Sequence, residues 1–133
     1  VGIVVRLPLA SGLLTGKLNK ESLFAESDHR NFNRDGAAFN VGETFAGLPF
    51  ETGVELAQEL QALAPESMSL SQLALRWILD APEVTAIIPG ASRASQVEAN
   101  CASSDLPPLG EELHRALGDF YERRVKEHIR GPY

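Results

Sequence analysis

The chain has 133 residues, 44% apolar and 23% charged, ordinary proportions for one folded domain and far from disordered or collagen-like extremes. Twelve Lys and Arg against eighteen Asp and Glu leave a net charge of -6, which makes the chain a poor candidate for general nucleic-acid binding, since that needs a basic face. A single cysteine, Cys101, and three scattered histidines (His29, His114, His128) exclude a disulfide framework and a Cys/His zinc site, so no metal is expected.

The first residues include Ile3-Val4-Val5, a β-branched run typical of a strand buried on both faces. A chain that starts just before such a strand, with no Met, is expected to be a segment of a longer protein. Pro8 stops the ladder, and residues 10–17 (ASGLLTGK) read as a glycine-punctuated turn. Residues 19–50 form a long irregular stretch. Connections beyond ~12–15 residues are usually functional or disordered, and Phe24, Phe32, Phe39, Phe45 and Phe50 argue that this one packs on something. A helix is predicted over about residues 52–64, with Leu56, Leu60 and Leu63 on one stripe and Pro65 behind it. Ser69-Leu70-Ser71-Gln72 reads as a capping box. It opens a helix to about Asp80 whose stripe is Leu70, Leu73, Ala74, Trp77 and Ile78, with Trp77 assigned to the core. Ala81-Pro82 ends it.

Residues 84–88 are the second predicted strand, closed by Pro89-Gly90. A short helix follows over about Ala94–Ala102, with Cys101 assigned to packing. Pro107-Pro108 precede a last helix over about residues 110–129. It turns Leu113, Ala116, Leu117, Phe120, Tyr121 and Val125 inward and is stopped by Gly131-Pro132. No apolar run approaches the ~20 residues of a membrane span and no signal-peptide pattern is visible, so a cytoplasmic, membrane-free protein is expected. The order β, loop, α, α, β, α, α contains one βαβ unit. The fold class is α/β: two parallel strands with a mostly helical remainder, one partial domain over residues 1–133. Two strands are too few for a complete parallel sheet, so further strands are expected from elsewhere.

Two motifs invite a phosphate reading. Gly12-Leu13-Leu14-Thr15-Gly16-Lys17-Leu18 fails as a Walker A loop, because three residues rather than four separate the glycines and Leu18 replaces the metal-binding hydroxyl. No G-x-G-x-x-G is present for a Rossmann site. The second motif is Pro89-Gly90-Ala91-Ser92-Arg93, which joins a strand end to a helix N-terminus. Backbone N–H groups and a positive dipole end point outward at such a junction, Gly90 permits close approach, and Arg93 can fork onto a phosphate. The same residues also suit an ordinary turn with Ser92 or Ser95 as the N-cap. Arg123, Arg124, Lys126 and Arg130, interleaved with Glu122 and Glu127, read as a solvated face. His114 and His128 read as surface or boundary groups. No Ser/His/Asp arrangement or paired-carboxylate site is apparent.

Taken together, Leu7-Pro8-Leu9-Ala10-Ser11-Gly12-Leu13-Leu14-Thr15-Gly16-Lys17 and Ile87-Ile88-Pro89-Gly90-Ala91-Ser92-Arg93, with Gln96 and Asn100 beyond, resemble the C-terminal portion of the aldo-keto reductases. Leu73-Ala74-Leu75-Arg76-Trp77 resembles the helix between them. The resemblance covers nearly the whole chain and implies the last two strands, with their helices, of a (β/α)8 TIM barrel. That family uses NADP(H) to interconvert carbonyls and alcohols. By resemblance, Arg6, Leu7, Pro8, Leu9, Ala10, Ser11 and Lys17 run along the nicotinamide and pyrophosphate, with Arg30 a further loop candidate. Gly90, Ala91, Ser92, Arg93, Gln96 and Asn100 hold the adenosine 2'-phosphate and adenine. Barrel ligands bind at the C-terminal ends of strands, often with phosphate near the seventh and eighth.

The chain departs from the family pattern in three ways. Arg6 stands where many members stack an aromatic on the nicotinamide. Ala99 stands where many place a Glu on the adenine. The family's catalytic Asp, Tyr, Lys and His belong to the first half of the barrel, so no catalytic residue is assigned here. The resemblance thus implies the NADP(H)-binding part of an oxidoreductase, inactive alone, whose partner is the missing N-terminal barrel half. The alternative is a non-catalytic module that binds nucleotide weakly or only self-associates.

Overall fold

β1 (Ile3–Val5) and β2 (Val84–Ile87) pair in parallel in the computed structural model, which describes residues 1–131. Val4 pairs with Ala86 and Val5 with Ile87, with an irregularity between Ile3 and Val4. The Ile88 N–H then donates to Val5 O at 3.0 Å, carrying the ladder to Pro89. The strands are not buried on both faces as their β-branched composition suggests: Ile3 is 46% exposed, Val4 54% and Ile88 57%. A two-stranded sheet keeps two open edges, and α3 (Leu70–Leu79), packed beside β2, covers only part of it.

Between the strands, the chain passes a distorted 3-10 turn (Ala10–Thr15), the one-turn helix α1 (His29–Phe32), two further 3-10 turns, α2 (Phe50–Gln61) and α3. After β2 come α4 (Ala94–Ala102) and α5 (Glu111–Phe120). The core lies under α2 rather than under the sheet. Leu13, Phe45, Leu48, Phe50, Val54 and Leu56 form one buried cluster, with Phe24, Phe120, Val125 and Ile129 packed on it. Ala57, Leu70, Leu73 and Leu109 form a second, with Leu113 and Leu117. Gly53 allows the join: a Cβ there would stand 2.7 Å from Leu13 Cδ1. The Phe-rich stretch does pack, through Phe24, Phe45 and Phe50 with ring centroids 4.9–5.9 Å apart.

The capping box opening α3 is present: Ser69 Oγ accepts from the Gln72 N–H at 3.2 Å, and Gln72 Oε1 from the Ser69 N–H at 2.9 Å. α2 starts at Phe50, two residues before the expected point, because Pro49 acts as its N-cap, and it ends at Gln61, leaving Leu63 exposed beyond it. The last helix changes pitch: after α5 the backbone widens into a π segment (Tyr121–Val125) and tightens into a 3-10 turn (Lys126–His128). Pro132, half of the expected stop, lies outside the described residues.

Two core assignments are corrected. Trp77 is 48% exposed, because the buried side of α3 is set by Leu70, Leu73 and the wholly buried Leu75. Cys101 is also exposed, since α4 buries no residue of its own. Arg130 is not part of a solvated face: its guanidinium donates to three backbone carbonyls of the α1–α2 loop. Arg123, Arg124 and Lys126 do lie at the surface, in ion pairs with Asp119, Glu59 and Glu122.

Candidate functional site

Parallel pairing places the C-terminal ends of both strands side by side, and a cleft of about 810 Å³ opens there. Arg6, Leu7, Pro8, Leu9 and Ser11, from the chain leaving β1, line one side. Ile88, Gly90, Ala91, Ser92 and Gln96, leaving β2, line another. Ser27, Asp28, His29, Arg30 and Phe32 form a third wall around α1. The backbone is strained at its base: Leu7, Ala10 and Ser11 have φ of 55°, 47° and 56°, the left-handed region that side-chain-bearing residues seldom occupy. Such strain persists where surrounding structure holds it and clusters at functional sites.

The charges in the cleft are paired. Arg30 Nη2 donates to Asp28 Oδ2 at 2.6 Å and Nε to Asp28 Oδ1 at 3.0 Å, with the guanidinium 4.4 Å over the Phe24 ring. The Arg30 hydrogen bonds hold the Asp28 carboxyl at about 2, against partial burial that works the other way. Arg6 Nη2 lies 3.4 Å from Glu43 Oε2. Ser11, His29 and Asp28 fall in a line, Ser11 Oγ to His29 Nε2 at 3.5 Å and His29 Nδ1 to Asp28 Oδ1 at 3.5 Å. These distances are at the outer limit of hydrogen bonding, and Ser11 Oγ already accepts from the Phe45 N–H at 3.2 Å. Glu43 O, 3.5 Å from Ser11 Oγ, competes with His29 for the hydroxyl proton.

At the β2 end, three donors converge on one oxygen. The Ser92 N–H (2.7 Å), the Ser92 hydroxyl (3.1 Å) and the Arg93 N–H (3.1 Å) all reach Gln96 Oε1. Arg93, not Ser92 or Ser95, is the N-cap of α4, and Gln96 rather than a serine supplies the cap because its amide reaches back over the turn.

Ten of the fourteen residues singled out in the sequence thus meet in one cleft: Arg6, Leu7, Pro8, Leu9, Ser11, Arg30, Gly90, Ala91, Ser92 and Gln96. Ala10 instead lines an apolar cavity of about 270 Å³ beneath α2 and α3. Lys17 and Arg93 are exposed and Asn100 is half-buried on α4, and none of the three lines the cleft. Asp28, His29 and Glu43 are additions. Asp28 carries an N-cap signal, accepting from the Arg30 N–H at 2.9 Å, but no apolar period follows it to mark a helix. Among the described residues, no group of three His, Cys, Asp or Glu could hold a metal ion, and no helix is long and apolar enough to cross a membrane.

A parallel strand pair whose C-terminal ends share one cleft is the local architecture of a β/α barrel. Residues 1–122 match the model of the aldo/keto reductase family, and the chain belongs to that family. It is 34% identical over 114 residues to a probable voltage-gated potassium channel subunit beta of Arabidopsis thaliana, an alignment covering 82% of this chain and 31% of the relative. It is 36% identical over 114 residues to L-glyceraldehyde 3-phosphate reductase of Escherichia coli O157:H7, covering 85% and 32% respectively. The structure of a glycerol dehydrogenase from Gluconobacter oxydans superimposes with a TM-score of 0.73 at 26% identity, over 100% of this chain and 38% of that one. The chain therefore spans about a third of the length of these relatives and is a partial (β/α)8 barrel.

Proposed function

We propose that residues 1–133 form one partial domain, the NADP(H)-binding C-terminal part of an aldo/keto reductase-type oxidoreductase, completed by the barrel's N-terminal half. The observation that carries this reading is the pairing of β1 with β2, which draws two family motifs some eighty residues apart into one cleft. The donors fit the cofactor. Three donors gathered at one point suit a phosphate oxygen, and Ser92 and Arg93 would take the 2'-phosphate once the Gln96 side chain turns aside. Residues 6–11 would run along the nicotinamide and pyrophosphate, with the strained turn presenting its backbone to the ligand. Lys17, exposed beyond the turn that follows β1, would add charge, and Asn100 would meet the adenine from α4.

When bound, the cofactor would give a hydride to a carbonyl in its reduced form and accept one from an alcohol in its oxidised form. Arg6, held beside Glu43, would lie along the nicotinamide with its charge partly offset. Arg30 contributes shape more than charge, because Asp28 already neutralises it. Calorimetric titration of the chain with NADPH and with NADH tests the reading. NADPH is expected to bind more tightly, and Arg93→Ala to remove the difference, a factor of about 10 to 150 for one charge-assisted hydrogen bond. Equal binding of both nucleotides by the unaltered chain defeats the assignment of Arg93.

A further inference from the structure

The loop between α1 and α2 makes few regular backbone bonds, yet it is fixed from within and from without. Within it, Asn33 is wholly buried: Oδ1 accepts from the N–H groups of Ala38 and Phe39 at 2.9 Å each, and Nδ2 donates to Thr44 Oγ1 at 3.0 Å. From without, Arg130 reaches back from the far end of the chain. Its Nε donates to Gly47 O at 2.9 Å, Nη2 to Arg34 O and Leu48 O at 3.1 Å each, and Nη1 to Asp35 Oδ1 at 2.7 Å. Its backbone N–H also donates to Gly47 O at 3.1 Å. The approach is close, since a Cβ on Gly47, at φ +79°, would stand 2.6 Å from Arg130 O. A planar guanidinium presents its donors as a rigid fork, which suits four acceptors spread around it; an ammonium does not.

The clamped loop supports the cleft at two points. It continues directly from α1, whose Asp28, His29 and Arg30 make one wall. It also carries Phe45, whose N–H donates to Ser11 on the wall leaving β1. We propose that Arg130 is a positioning residue for this cleft: by gathering the carbonyls of Arg34, Gly47 and Leu48 and the carboxylate of Asp35, it fixes the loop and, through it, the α1 wall and Ser11. The inference concerns the shape of the cleft and is independent of which ligand occupies it.

Amide hydrogen exchange on the full chain tests the coupling. In Arg130→Ala, exchange at Arg30, Ala38, Phe39 and Phe45 is expected to quicken about 10- to 150-fold, as for loss of one charge-assisted bond. The amides of Leu73 on α3 and of Asp80 just after it should stay unchanged. Arg130→Lys should recover only part of the protection, and millimolar ethylguanidinium added to Arg130→Ala should restore some of it, which a general loss of stability would not allow. A rise that includes the α3 amides equally, unchanged exchange at Arg30 and Phe45, or no recovery with ethylguanidinium each overturns the proposal. Should Arg130→Ala not fold, Asp35→Ala serves, because Asp35 is mostly exposed. A smaller rise at the same four amides is expected, and none there is equally fatal.

Discussion

Asp28 shows how one side chain can set the character of the cleft. Its carboxylate accepts from the Arg30 side chain and from the Arg30 N–H, and the side chain is only 23% exposed. Its folded pKa of about 2 lies below the ordinary value of 3.8. A depressed carboxyl contributes stability that is fully present above its unfolded pKa and is lost as pH falls through the folded one. The window therefore runs from about pH 4 down to about pH 2, and the contribution is on the order of 2 kcal/mol. Measured unfolding free energies should fall across that window in the unaltered chain and fall less steeply in Asp28→Asn. Identical slopes in the two proteins would show that the pair does not hold the fold. Asp80 behaves in the same sense. Burial pushes its carboxyl up, but the Leu109 N–H, His114 and Arg76 together outweigh burial and keep it below the usual range.

At the scale of elements, α3 is the best-specified piece of the chain. Ser69 and Gln72 satisfy one another's backbone N–H groups, and Leu70 and Leu73 follow at once into the core. Ser69→Ala should cost about 1 kcal/mol, read as a lower urea midpoint with an unchanged slope; an unchanged midpoint would mean that packing alone fixes this end. Where a local signal and a tertiary contact coincide, as here and at the two strands, the element was legible from residue types and spacing. Elsewhere the deciding contact is remote. The stripe on α3 suggested one buried face, whereas Leu75 on the other side is wholly buried and Trp77 is half exposed. The one-turn α1 and the π segment after α5 carry no periodicity by which they could be found. For the cleft, strand-end motifs were readable because each is contiguous. The Arg6–Glu43 pair and the Arg130 clamp were not, because they join residues tens of positions apart.

At the scale of the whole molecule, the chain spans about a third of the length of its relatives. General acid catalysis needs a proton donor positioned at the carbonyl, and the resemblance read from the sequence assigns that role to no residue of this chain. NADPH oxidation by the chain alone, with a panel of aldehydes and quinones, is expected to stay at the blank. Turnover that survives repurification would contradict this. The same partial architecture leaves the sheet with two unpaired edges, and Ile3, Val4 and Ile88 on or beside them are each about half exposed. Unpaired apolar edges template pairing with another chain, and an uncovered apolar patch promotes association. The chain on its own is therefore expected to pair with itself, most simply as a two-fold dimer. Light scattering should return about twice 14.4 kDa, and Val4→Lys, which puts a charge on the exposed strand, should shift the mass toward the monomer. Strands of the N-terminal barrel half, added in trans, should compete for the same edges and displace the second copy. A stable monomer near 14.4 kDa with cooperative unfolding would show that the core under α2 suffices to hold the fold and that the open edges do not govern its assembly.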